Sequence, residues 1–291
     1  MADAVLRTMS AGRSQRATPR PFLKWAGGKR QLIDALMRQA KRAKPFEQYH
    51  EPFVGGGALF FELKRTKQLE GKCAYLSDTN SRLIETYRAV KEDAEQVIEL
   101  LREHAKRHSE DYYYALRGQS PKDLFARAAR IIYLNKTGFN GLYRENSKGE
   151  FNVPYGRYKN PGICDEDNLH AVSAALQDAV IEARPFETVK RVAREGDFVY
   201  FDPPYHPVSK TSSFTRYSMD DFGEDDQQAL AETAAELHMK GVKVLLSNSM
   251  TPLVKKLYPA PFKIGRVMAT RQINSKAELR GRIAEALIRS F

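Results

Sequence analysis

The chain has 291 residues, 42% hydrophobic and 29% charged, which suits one large α/β domain with an insertion. No apolar run approaches the length of a membrane span, and two cysteines, Cys73 and Cys164, are too few for a disulfide framework or a four-ligand zinc site. Membrane roles are excluded and a reducing compartment is expected. The net charge of +11 is gathered into blocks: residues 1–44 carry net +9, residues 127–160 net +5, and the remainder net −3. Clustered cations of this kind are a polyanion footprint, because each neutralised phosphate releases counterions.

Residues 1–20, "MADAVLRTMSAGRSQRATPR", are rich in Arg, Ser and Ala and lack a signal-peptide core. They predict a flexible basic arm, a composition that a transit peptide shares. "FLKWAGGKR" follows and is not a phosphate loop, since Leu23 stands where the motif needs glycine and Arg30 replaces its Mg²⁺-binding hydroxyl. It leads into a helix, which puts Lys29 where it can pair with a ligand carboxylate and Trp25, the sole tryptophan, where it can form a flat wall.

"EPFVGGGALFFEL" places Gly55, Gly56 and Gly57 between a strand and an apolar helix, where a ligand can approach main-chain N–H groups. Phe60 occupies the last glycine position of a full dinucleotide fingerprint, so the pyrophosphate cradle is missing. Asp78 ends the next strand, 21 residues after Gly57, at the distance of an acid that binds ribose hydroxyls. The pair suits a nucleoside cofactor without phosphates, of which S-adenosylmethionine is one.

Seven runs have strand character: "YHEPFV", "CAYLSD", "AVIEARP", "DFVYFD", "VKVLLSN", "KIGRVM" and "EALIRS". Several are continuously apolar, as strands buried on both faces should be. Helical stretches alternate with them, including "KEDAEQVIELLREHAKR" and "DDQQALAETAAELHMKG", the latter closing on Gly241. The pattern predicts a doubly wound, mostly parallel sheet. Residues 90–175 hold no convincing strand and are expected to be an inserted domain between 21–89 and 176–291. His104 and His108 lack a third ligand and read as a solvated helix face, with no metal expected.

In "FDPPY", Asp202 ends a buried strand at the carboxyl edge of the sheet, where open α/β folds bind ligands. Pro203 and Pro204 have no N–H and nearly fixed φ, leaving stiff carbonyl acceptors beside the carboxylate. Tyr205 adds a ring face. The group that fits is an aromatic NH₂ lying on Tyr205, donating to Asp202 and to the Pro203 carbonyl. Holding both hydrogens favours a pyramidal nitrogen and directs its lone pair at an electrophile such as a sulfonium methyl.

In their order, "FLKWAGGK", "EPFVGGG", "SDTNSRLI", "NGLYRENSKGEFNVPYGRYKNP", "FDPPY" and "SSFTRY" resemble the DNA adenine methyltransferases of the Dam family. The likeness runs from Phe22 to about Phe291. It implies a Rossmann-like methyltransferase sheet of about seven strands, S-adenosylmethionine as cofactor, and 6-methyladenine in duplex DNA, within GATC, as product. It further implies cofactor contacts at Trp25, Lys29, Phe53, Gly55, Gly57, Asp78 and Asp202, catalysis at Asp202, Pro203 and Tyr205, and a flipped target base. DNA contacts are implied at Asn140, Arg144, Pro154 and Arg157, with Phe139 and Tyr158 stacking or wedging near the displaced base. Phe139 stands in place of the commoner tyrosine, and Ser213 in place of an asparagine. A cytoplasmic, monomeric enzyme is expected.

Read directly, 135–161 interleave Phe139, Tyr143, Phe151, Tyr155 and Tyr158 with Arg144, Lys148, Arg157 and Lys159, giving base-stacking faces and phosphate or guanine partners. Asn140-Gly141 and Lys148-Gly149 predict a loop followed by a hairpin. The same acceptors also suit cytosine's exocyclic amine in DNA or adenine in RNA, and a DNA-binding relative without activity is a reading from another class.

Overall fold

The computed structural model describes residues 17–25, 27–207, 222–270 and 282–291. All but the last four residues of the expected basic arm, and the segment containing Ser213, lie outside them. Seven strands form one sheet in the order β3-β2-β1-β4-β5-β7-β6. They are β1 (Tyr49–Glu51), β2 (Ala74–Asp78), β3 (Ala179–Ala183), β4 (Phe198–Phe201), β5 (Lys243–Ser249), β6 (Lys263–Thr270) and β7 (Arg282–Arg289). The first five pair in parallel, and β7 runs antiparallel between β5 and β6. All seven expected runs are strands, and the sheet is the α/β methyltransferase sheet the resemblance implies.

The apolar runs follow from burial on two faces. In β4, Phe198 and Tyr200 join one core, while Val199 and Phe201 join a second with Val244, Leu246 and Ile288. Helices α1 (Ile33–Arg42), α2 (Ala58–Arg65) and α3 (Ser81–Glu92) cover the first face. The second is covered by α8 (Val189–Val192), α9 (Glu224–Met239) and α10 (Pro252–Leu257). Between β2 and β3 the chain also forms α4 (Ala94–Lys106), α5 (Glu110–Arg117), α6 (Leu124–Thr137) and α7 (Glu166–Leu176).

The helical stretch expected from Lys91 onward is broken at Asp93. That residue adopts extended backbone (φ −149°, ψ 92°) and its side chain accepts from Gln96 N at 3.0 Å, capping α4. Gly241 has φ +76°, the conformation its position after α9 demands. Among the described residues no helix is long and apolar enough to cross a membrane.

Strand order sets the place of the site. The chain builds outward from β1 to β3 and then returns to start β4 beside β1, so the connections diverge at the carboxyl ends of β1 and β4 and leave a crevice there.

Candidate active site

Asp78 ends β2 and the glycine turn follows β1. One Asp78 carboxylate oxygen accepts from Gly55 N at 3.1 Å and the other from Asn80 N at 3.0 Å. Burial pushes the Asp78 carboxyl up, and backbone donors at Asn80, Gly55 and Thr79 oppose that shift. Gly55 (φ +45°) cannot carry a side chain, because a Cβ there would lie 2.8 Å from Trp25 Cδ1. Gly57 (φ +65°) is equally constrained, its Cβ position lying 2.8 Å from the Tyr87 hydroxyl. The result is a bare, backbone-lined turn with an acid on one side and an indole on the other, which fits a nucleoside carried without phosphates. Phe53 lies at the second core, its ring stacked on Phe186 at 5.3 Å and meeting Phe222 edge-on at 5.7 Å.

At the end of β4, Asp202 Oδ1 receives the Lys29 ammonium at 2.8 Å and the Ser247 hydroxyl at 2.8 Å. Tyr200 lies 3.0 Å from that same Ser247 hydroxyl. Among the described residues Asp202 Oδ2 accepts no hydrogen bond, nor does the Pro203 carbonyl, whereas the Pro204 carbonyl is taken by Gln227 Nε2 at 3.0 Å. Tyr205 donates to Glu285 Oε2 at 2.7 Å, which fixes its ring, and the Lys29 ammonium stands 4.6 Å above the ring centre. Gln227 and Asn248, both fully buried, brace the turn: Asn248 Nδ2 donates to Gln227 Oε1 at 2.8 Å, and Asn248 Oδ1 accepts from His206 N at 3.1 Å.

Behind these groups lies Glu51, 2% exposed, which accepts from the Tyr49 hydroxyl at 2.7 Å. Burial raises its pKa to about 8; the charge of Asp202 adds to the shift, and Tyr49, the Phe60 amide and Lys29 oppose it.

Glu51, Ser247, Asn248, Gln227 and Glu285 are not among the expected site residues. A signal existed for Ser247 to Ser249, three buried polar residues closing an otherwise apolar strand. Glu51 opens the "EPFVGGG" run. Lys29 was expected beside a ligand carboxylate; in this structure its partner is the carboxylate of Asp202.

The second cluster sits beyond α6. Phe139 to Gly141 form a 3-10 turn with Asn140 at φ 54°, and Phe139 N donates to the Pro154 carbonyl at 2.9 Å, bringing the two chain segments together. Phe139 (48% exposed), Asn140, Pro154 and Arg157 face solvent. Tyr158 is half-buried under the Lys24 ammonium, 4.7 Å from its ring centre. Arg144 is held by Asn152, through Nε to Oδ1 at 2.6 Å and Nη2 to the carbonyl at 3.1 Å. The expected hairpin is present, closed by the Glu145–Phe151 bridge and the turn at Asn146 to Gly149.

Two expectations are corrected. Of the five aromatic faces, Phe151 is core, Tyr143 packs against Trp25 at 5.2 Å, and Tyr155 packs on Tyr113 at 5.4 Å. Their alternation with basic residues reflects inward and outward facing positions of a folded segment. His104 and His108 are not a solvated face: His104 Nδ1 lies 2.7 Å from the Tyr112 hydroxyl and His108 Nδ1 2.8 Å from that of Tyr133. Burial, with Arg107 nearby, holds His104 down at about 4.

Sheet order gathers Asp78, the glycine turn, Asp202 and Ser247 at the carboxyl edge of the sheet, where open α/β folds bind ligands. The model of the D12 class N6 adenine-specific DNA methyltransferases matches residues 25–273, and the chain belongs to that family. It is 44% identical over 280 residues to the Type II methyltransferase M1.LlaDCHI of Lactococcus lactis subsp. cremoris, spanning 94% of this chain and 95% of that protein. Over 292 residues it is 44% identical to the Type II methyltransferase M.MjaIII of Methanocaldococcus jannaschii, spanning 94% and 99%. The DNA adenine methylase of Escherichia coli K12 is 36% identical over 272 residues, spanning 92% and 94%. The chain is therefore an adenine-specific DNA methyltransferase, with S-adenosylmethionine as methyl donor and DNA as substrate.

Proposed function

We propose that the protein, acting as a monomer, methylates adenine N6 within GATC in duplex DNA after drawing the base out of the helix onto Tyr205. The observation that carries this reading is the pair of acceptors left at the turn, Asp202 Oδ2 and the Pro203 carbonyl, beside a ring already covered by a cationic nitrogen. The adenine amine has two hydrogens to give and a lone pair delocalised into its ring. Donating both hydrogens to oxygen favours a pyramidal nitrogen and stabilises the positive charge that grows on it. The Lys29 ammonium pairs with the other oxygen of Asp202, Oδ1, and in this reading the adenine amine meets Oδ2 and the Pro203 carbonyl. Asp202 or water then takes the surplus proton.

S-adenosylmethionine supplies a methyl group activated by a positively charged sulfur. In this reading Trp25, Lys29, Phe53, Gly55, Gly57, Asp78 and Asp202 hold it. Residues 90–175 form the recognition domain inserted between 21–89 and 176–291, with Phe139, Asn140, Arg144, Pro154, Arg157 and Tyr158 reading the duplex. Extruding a base costs a few kcal/mol, which phosphate contacts from the basic blocks and wedging by Phe139 offset. The target rests on the likeness of "NGLYRENSKGEFNVPYGRYKNP" to the Dam family.

Methylation-sensitive sequencing of DNA treated with the purified protein tests the target, and methyladenine confined to GATC is expected. Methyladenine at an unrelated sequence refutes the GATC assignment. For base extrusion, 2-aminopurine at the target position should brighten on binding; tight binding with unchanged emission contradicts it.

A further inference from the structure

Asn135, in the last turn of α6, is 1% exposed and spends its whole carboxamide on main chain. Its Oδ1 accepts from Lys24 N at 2.7 Å, and its Nδ2 donates to the Lys24 carbonyl at 2.7 Å and the Gly141 carbonyl at 3.2 Å. The pair of bonds to Lys24 copies a peptide partner and fixes that residue in both position and tilt. Trp25 is the next residue, and Gly141 follows Asn140. One amide therefore ties the strap carrying the indole wall to the turn of the second cluster.

Tyr143 makes a second tie. Its ring lies 5.2 Å from that of Trp25, whose Cδ1 would stand 2.8 Å from a Cβ on Gly55 of the glycine turn. Its hydroxyl lies among Asn80, Arg82 and Glu145, and Arg82 pairs with Glu145 at 2.8 Å. Asn80 is the residue whose N–H holds Asp78. A side chain from the recognition segment thus touches both walls of the cofactor turn, the indole and the ribose acid's loop. Close packing reinforces the link, since a Cβ on Gly141 would lie 2.7 Å from Lys24 Cβ.

We propose that Asn135 and Tyr143 are positioning residues that make S-adenosylmethionine binding and DNA reading mutually dependent. The inference rests on the assignment of the two clusters under the proposed function. A ligand that settles against Trp25 and Asp78 selects one placement of the strap, and the two ties transmit that placement to the turn of Phe139 to Gly141. Linkage makes the effect reciprocal: DNA tightens cofactor binding by the same factor by which cofactor tightens DNA binding.

The sole tryptophan provides the readout. Trp25 emission gives the dissociation constant of S-adenosylhomocysteine, which cannot react, with and without a short duplex carrying the sequence the protein methylates. Wild type should show a coupling factor of roughly 5–150-fold. In Tyr143→Ala, and in Asn135→Ser if it folds, the factor should fall toward one while each ligand alone binds within about threefold of wild type. Tyr143→Phe, which keeps the ring against Trp25, should retain most of the coupling. Unchanged coupling in a folded Tyr143→Ala protein that still binds duplex overturns the proposal and leaves the functional reading intact. Loss of both separate affinities in step in Tyr143→Ala also overturns it, showing a structural role alone. Failure of the wild-type protein to bind duplex at all overturns the functional reading and the proposal with it.

Discussion

Ser247 decides which oxygen of Asp202 is offered to a ligand. Its hydroxyl and the Lys29 ammonium both sit on Oδ1, leaving Oδ2 without a hydrogen bond among the described residues. Ser247→Ala removes a hydrogen bond to a charged group, and kcat should fall by roughly tenfold to a hundredfold with KM for S-adenosylmethionine little changed. Steady-state kinetics check this, and an unchanged kcat means the carboxylate is oriented by Lys29 alone. Glu51 supplies a second residue-level test. Burial raises its folded pKa from the ordinary carboxyl value of 4.5 to about 8, so the folded state holds the proton more tightly. The corresponding stability is fully present below pH ~4.5 and is lost as pH rises through ~8. Glu51→Gln mimics the protonated form, so its melting temperature should be flatter than wild type over that window, with the relative gain greatest at its alkaline end. Parallel melting curves across the window contradict the shift. The pairing of these groups was not legible in sequence. Asp202 and Lys29 stand 173 positions apart, and only the folded sheet shows that the lysine faces an acid.

At the scale of elements, the hairpin after α6 positions Arg144 by bonding it to Asn152. If its guanidinium reads a guanine edge, Arg144→Ala should relax base choice at one position by roughly 1–3 kcal/mol. Competition binding on singly substituted duplexes measures it; equal weakening on every sequence makes Arg144 a phosphate anchor instead. Asp93 belongs to a different class, because it caps α4 away from either cluster. Asp93→Ala should cost about 1 kcal/mol of stability in denaturant unfolding and leave kcat unchanged. Strands were readable here because apolar runs such as "DFVYFD" report burial on both faces directly. The break between α3 and α4 was not, since the cap depends on one residue's φ and ψ, and helical periodicity continues across it. Nor was the fate of Tyr143, Phe151 and Tyr155, because an aromatic interleaved with cations looks the same whether its ring meets a base or a neighbouring indole.

Across the whole molecule, sheet order explains why distant motifs come together. Asp78, the glycine turn, Asp202 and Ser247 come from β2, β1, β4 and β5, four neighbours in the sheet, at or near their carboxyl ends. That convergence follows from the alternation of strands and helices, which is why the strand-end placement of Asp78 and Asp202 was readable before their contacts were known. Residues 135–161 contact the segment carrying Lys24 and Trp25 through Asn135 and Tyr143. The central claim is that Asp202 holds the amine that receives the methyl group, and Asp202→Asn tests it most directly, since it keeps the shape of the side chain while removing its charge. Nucleoside analysis of treated duplex DNA should show N6-methyladenine formed slower by about two to three orders of magnitude, with thermal unfolding still cooperative. Methyladenine formed at the wild-type rate by that variant would contradict the account.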